Sequence, residues 1–234
     1  MTTLARKHGS PRRVRGVPLV PGVLASAGGI LLALGFIGYV LWPRWPEPPV
    51  AADGPALPIV VGGVVFNVPP AAVRVAVQRH PGAQERVDLV FLWPSLAPPA
   101  PKATTPATPA GEDRLFVTIA EADGTLAPPE RLRTIYPRYA AASPTPEPNG
   151  LTGFAFGDDT PYRGEDLLFD RPDGEHFLVR CSRQAGPTPG MCLYEQRIGG
   201  ADLTARFPRE WLHDWRKVAA GIERLAAQLH PDRN

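Results

Sequence analysis

Cys181 and Cys192 are the only cysteines in the chain, and their spacing is the clearest chemistry the residues offer. The stretch between them is rich in turn formers, with Gly186, Pro187, Pro189 and Gly190. A hairpin centred between Gly186 and Pro187 pairs 181 with 192 across neighbouring strands. The thiols then meet if that pair is non-hydrogen-bonded. Closing so short a loop contributes ~3 kcal/mol in the chain-entropy account. Redox pairs are usually CxxC, and two thiols without a neighbouring histidine make a poor metal site. The spacing therefore predicts a structural disulfide.

The other reactive residues do not assemble into a recognisable catalytic set. His80, His176, His213 and His230 follow the apolar N-terminal run, and none lies in HExxH. There is no GxSxG, GxGxxG or phosphate loop. Asp158, Asp159, Glu165 and Asp166 form an acidic stretch near Arg163 that lacks the ligand spacing of a calcium loop. His176 stands among Asp170, Asp173 and Glu175 in a turn, a weak acid/base arrangement. The best candidate ligand pocket in the sequence is Tyr162, Asp166, His176 and Arg180. No catalytic residue, cofactor or metal set is expected.

Position in the cell is more legible than reactivity. Leu19 to Trp42 carries no charge, and 24 residues at ~1.5 Å each are enough to cross a ~30 Å hydrocarbon core. Arg6, Lys7, Arg12, Arg13 and Arg15 precede it, with no acid among residues 1–42. Cations next to a span stay inside. The expectation is a basic cytoplasmic tail over 1–17, a transmembrane helix over 18–42 in contact with the lipid bilayer, and a periplasmic remainder at the inner membrane. The chain has 25 Lys+Arg and 23 Asp+Glu; removing the five N-terminal cations leaves 20 and 23, a net of −3 outside. The overall pI near 8.7 thus reflects the tail and gives no reason to expect nucleic acid as a partner.

The 30 prolines punctuate what remains. Residues 43–58 read as an extended linker, and 94–111, rich in Pro, Ala and Thr, as a disordered excursion between strands of a domain spanning 59–234. Ser143–Gly150 reads as a shorter loop. Strand signals fall at Ile59–Val68, broken at Gly62-Gly63, and at Arg86–Trp93 and Arg114–Ala122. Five shorter ones follow: Gly153–Phe156, Glu165–Asp170, Glu175–Ser182, Met191–Ile198 and Leu203–Phe207. Pro129–Tyr136 suits a short helix. Trp211, Trp215, Val218, Ile222, Leu225 and Leu229 form one apolar stripe on a helix of about 22 residues starting at Pro208. The fold class expected is α+β: an antiparallel sheet with the C-terminal amphipathic helix packed on it, behind one N-terminal transmembrane helix.

Several segments, Val64–Leu96 with its RVDLVFLWPSL run, Leu151–Asp170 (GLTGF…YRGEDLLFD) and Phe177–Val218 (FLVRC…MCLYEQ…RFPREWLHDWRKV), resemble a family of alphaproteobacterial single-span, membrane-anchored periplasmic proteins of unassigned function. The resemblance implies the same architecture and brings no activity with it. Together with the absence of a catalytic motif, this leads to the expectation of a membrane-anchored interaction or accessory protein with an envelope protein as partner. A periplasmic ligand-binding or sensing domain is the alternative, and an unrecognised hydrolase a third.

Overall fold

The computed structural model describes residues 19–41, 54–100, 113–170, 174, 176–183 and 190–231. The expected tail, most of the 43–58 linker, residues 101–111 of the Pro/Ala/Thr loop, the Gly186–Pro187 turn, Asp173 and Glu175 lie outside them. Two compact units make up the chain, Met1–Glu47 and Pro48–Asn234.

The first unit contains helix α1, Leu19–Leu41, 23 residues without a charge. Ile30, Leu31, Leu32, Leu34, Phe36 and Ile37 are each between 50% and 77% exposed. Side chains are described from Ser26 onward, and among the described residues no helix is long and apolar enough to cross a membrane.

The second unit, the head, is α+β with an antiparallel sheet and a C-terminal helix. It opens with a hairpin, β1 (Leu57–Val61) and β2 (Val64–Val68), turned at Gly62-Gly63. A two-residue strand β3, Gly82–Ala83, joins β1 in parallel, the one departure from antiparallel pairing in the described sheets. The main sheet has eight strands. They are β4 (Arg86–Leu92), β5 (Arg114–Glu121), β6 (Thr145–Pro146), β7 (Thr152–Ala155), β8 (Glu165–Phe169), β9 (Leu178–Ser182), β10 (Met191–Ile198) and β11 (Ala201–Pro208). Their order is β4-β5-β11-β10-β9-β8-β7-β6. Six strands thus run as an uninterrupted meander, and the β4–β5 pair joins its far side.

One face of this sheet is the core. Leu115, Val117 and Ile119 alternate along β5, and Ala201, Leu203, Ala205 and Phe207 along β11, all essentially inaccessible. Period-2 alternation puts each set on a single face. The C-terminal stripe covers it: Val218, Ile222, Leu225 and Leu229 are at most 2% exposed, Trp211 5% and Trp215 7%. The stripe is as expected, but the helix is not one piece. A 3-10 segment, Arg209–Asp214, precedes helix α3, Trp215–Leu229. Pro208 ends β11 instead of opening the helix, and Asp214 at φ −128°, ψ 45° leaves helical space, so the α ladder starts only at Trp215. The six tighter residues let Trp211 stack on both Phe207 and Trp93 while Trp215 still reaches Phe177.

Two glycines permit close approaches that no side chain would. A Cβ on Gly62, at φ +55°, would lie 1.9 Å from the Gly200 carbonyl oxygen, where the β1–β2 turn abuts the β10–β11 turn. A Cβ on Gly221 would lie 2.6 Å from the Trp93 ring, which packs against α3.

The proline-rich loops are more structured at their ends than composition suggests. Leu96, inside the segment expected to be a disordered excursion, is 7% exposed and packs with the main cluster. In the 143–150 loop, the Trp215 indole N–H donates to the Asn149 carbonyl at 3.0 Å, and the Asn149 side chain donates to the His213 carbonyl.

Candidate interaction site

The opposite face of the sheet is covered over only part of its width. Helix α2, Pro128–Thr134, and a 3-10 turn, Tyr136–Arg138, roof strands β7, β8 and β9. Two prolines suit the first turn of α2, and Glu130 accepts from the Ala127 N–H at 3.3 Å. Leu132, Ile135 and Tyr136 recur at helical spacing and meet Phe154, Phe156, Leu167, Leu178 and Phe169. Tyr162 packs edge-on to Tyr136 at 5.4 Å and Tyr139 at 5.7 Å. This second apolar cluster is small, aromatic and separate from the main core.

A cavity of about 440 Å³ opens beside it, between the roof and the sheet. Phe154 and Phe169 lie stacked in its wall, ring centres 6.0 Å apart and planes within 3°. Leu132, Tyr136, Pro137 and Leu167 add to the apolar lining together with Ala140, Ala141 and Ala142, and Arg133 is its charged residue. Burial pushes the Tyr136 phenol pKa up.

Next to the roof is a chain of charges. Arg131 meets Glu195 at 3.1 Å, and Arg180 meets Glu165 at 2.8 Å and Glu195 at 3.9 Å. Burial works against the Arg131 charge, but the hydrogen bond and proximity of Glu195 outweigh it and hold the pKa above its ordinary value. The Nε–H groups of both arginines are buried without a hydrogen-bond partner, although their terminal nitrogens are engaged.

The four residues singled out in the sequence separate here. Arg180 lies over the Tyr162 ring at 5.2 Å, so those two share the outer face. Asp166 pairs in register with Cys181, beside the disulfide, and is held by Arg183 at 2.8 Å and Arg209 at 2.6 Å. Strand alternation puts it on the core side. His176 is 77% exposed, 3.5 Å from Asp170, and borders a different cleft of about 300 Å³ with Pro128, Pro129 and Glu223. The cavity at Phe154 and Phe169 was not read from the sequence. Its signal was the 3-4 spacing of Leu132, Ile135 and Tyr136, which makes a short helix with its own apolar face. Among the described residues there is no group of three or more His, Cys, Asp or Glu placed to hold a metal ion.

The disulfide anticipated from spacing is present. Cys181 and Cys192 pair directly across β9 and β10, with Cα atoms 4.0 Å apart. It fixes the register that places Arg180 opposite Leu193 and Leu167.

Beyond the roof the outer face is partly open around Phe116, Leu193 and Arg206, while Val90 at the β4 edge is buried. A single row of directly paired residues crosses the sheet: Val90, Phe116, Arg206, Leu193, Arg180, Leu167 and Phe154. The last three are under or beside the roof. Phe116 and Leu193 are half-buried, Arg206 is exposed, and Arg74 lies over the Phe116 ring at 4.9 Å.

Neither a protein family nor a curated protein matches the chain in sequence. Solved structures do match in shape. Smlt3025, an immunity protein of the Stenotrophomonas maltophilia type IV secretion system, aligns over 75% of this chain and 93% of its own, with a TM-score of 0.52 and 17% identity. The iron-regulated outer membrane lipoprotein FrpD of Neisseria meningitidis aligns over 78% and 96%, with a TM-score of 0.42 and 8% identity. The first likeness assigns the head to an α+β sheet-and-helix fold that Smlt3025 shares.

Proposed function

We propose that the head is a protein-binding module of the bacterial envelope, and that α1 holds it at the periplasmic face of the inner membrane. The observation that carries this is the open row on the outer face. Phe116, Leu193 and Arg206 join apolar area to an exposed guanidinium, and aromatic and Arg side chains are the types enriched in protein interfaces. Three supports stand beside it. The cross-strand disulfide fits an oxidising compartment. The uncharged sequence run Leu19–Trp42 with five cations before it fits an N-in anchor. The fold shared with an immunity protein fits an interaction role reached without catalysis. On this reading the chain groups with the alphaproteobacterial single-span proteins whose motifs it resembles, and its partner is another envelope protein.

The test is complementation of a deletion strain with outer-face variants. Leu193→Asp and Arg206→Glu should abolish function while leaving the melting temperature within a few degrees of wild type. Full activity in both variants sinks the reading, as does full rescue by a cytoplasmic head. A second reading, a small-ligand sensor, is favoured by the cavity at Phe154 and Phe169, whose 440 Å³ falls within the usual range for ligand sites.

A further inference from the structure

The cavity between the α2 roof and strands β7 and β8 has a specific chemistry. Its wall is the stacked pair Phe154 and Phe169 with Leu132 and Leu167, and its charged group is Arg133, exposed and without an ion pair among the described residues. The roof from Pro128 to Ala142 carries Arg131, Arg133 and Arg138 against one acid, Glu130. Arg131 is taken up by Glu195, which leaves the free positive charge at Arg133 and Arg138.

We propose that this cavity binds a single-chain anionic amphiphile, a fatty-acid-like carboxylate, with its chain along Phe154 and Phe169 and its head group on Arg133. Size is the first argument. At roughly 30 Å³ per water-sized group, 440 Å³ holds about fifteen, more than one partner side chain fills and too few for a two-chain phospholipid. Polarity is the second. The lining offers a continuous apolar wall and one cation, so an apolar tail is matched everywhere and an anionic head at a single point. A cationic head would be repelled by Arg133, and a neutral head would leave its charge unpaired. Rigidity is the third. Phe154 and Phe169 sit on paired strands, Thr152–Ala155 against Glu165–Phe169, so the wall is formed before any ligand arrives. The proposal is independent of the open row at Phe116 and Arg206, and either can fail alone.

The experiment titrates the head, residues 48–234, a compact unit with its own core, with dodecanoate below its micellar concentration. Dodecanol and dodecylammonium serve as neutral and cationic controls, with calorimetry as the readout. Dodecanoate should bind at least tenfold more tightly than either control. Arg133→Gln should erase that tenfold preference. Ala141→Trp, at an exposed position on the cavity edge, should abolish binding with the melting temperature unchanged. Equal binding of the anionic and cationic chains overturns the proposal, and so does unaltered binding by Ala141→Trp. Absence of dodecanoate binding, with Arg133-dependent sedimentation on phosphatidylglycerol vesicles, would assign the cation to a bilayer surface and overturn it as well.

Discussion

The two faces of the main sheet are built to different rules. The inner face is continuous: alternating apolar residues on β5 and β11 meet an unbroken stripe from Trp211 to Leu229, and one cluster takes in the hairpin, the sheet and the helix. The outer face is divided. A short basic roof makes a small aromatic cluster over β7 to β9, a cavity opens at its side, and the remaining width carries arginines among isolated apolar residues. A face that only has to hold the fold can be filled completely. A face that keeps a cavity and, among the described residues, cations without an ion pair forgoes stability there.

The contrast breaks most visibly at the inner face. Trp215 packs against Phe177 with ring centres 5.3 Å apart, and its indole N–H satisfies the Asn149 carbonyl. Trp215→Ala should cost ~3–5 kcal/mol, read by urea unfolding, through a lost ring, a cavity and an orphaned acceptor. A loss below ~1 kcal/mol would mean that the stripe is not the core. Next comes the disulfide, whose double replacement, Cys181→Ser with Cys192→Ser, should remove ~2–4 kcal/mol. Because it fixes the register of β9 and β10, the same variant should also loosen hydrogen-exchange protection around Arg180, on the outer face. Protection unchanged there would separate the two faces more sharply than the pairing implies.

Alkaline pH supplies a third test of the inner face. Burial, with a lesser contribution from Glu223, pushes the Tyr194 phenol up to about 12 from an ordinary 10. The unfolded chain loses this proton first. Tyr194 therefore contributes full stability below pH ~10, and that contribution falls as pH rises towards 12. The decline is on the order of 2 kcal/mol from a shift of this size. Tyr194→Phe should flatten that part of the stability profile; an unchanged slope would place the titration elsewhere.

The inner face was legible in the sequence because it is periodic. Leu115, Val117 and Ile119 alternate, the final stripe steps by three and four, and the two cysteines sit symmetrically about a turn. Each signal is local and points to one face. The break before Trp215 was hidden because a 3-10 turn presents nearly the same spacing as an α-helix over six residues. The outer face was mostly illegible for a different reason. Tyr162 and Arg180 meet on that face but do not line its cavity, and Asp166 differs from its neighbour Leu167 by one position and hence by a whole face. Leu132, Phe154 and Phe169 come from three separate segments, and only the meander brings them together. The buried Leu96 was missed because a proline-rich composition outweighed a single leucine.

The smallest expected effect belongs to the open part of the outer face. Asp88 on β4 accepts from Arg86 at 2.7 Å, Thr118 at 3.0 Å and Gln78 at 3.2 Å. The Arg86 hydrogen bond, opposed by partial burial, holds its carboxyl below the ordinary carboxylate value of 3.8. A depressed pKa means that the unfolded chain takes up the proton first as pH falls. The contribution is thus complete above pH ~4 and is lost below it. Its size should stay below ~1 kcal/mol, because the partner Arg86 is 55% exposed and water screens the pair. Asp88→Asn should keep the sheet intact, lower stability slightly at pH 7 and remove part of the acid-side slope, all measurable by denaturant titration at pH 3, 5 and 7. A loss as large as that of Trp215→Ala would mean that the open face supports the fold as much as the closed one, and the division of labour between the two faces would fall.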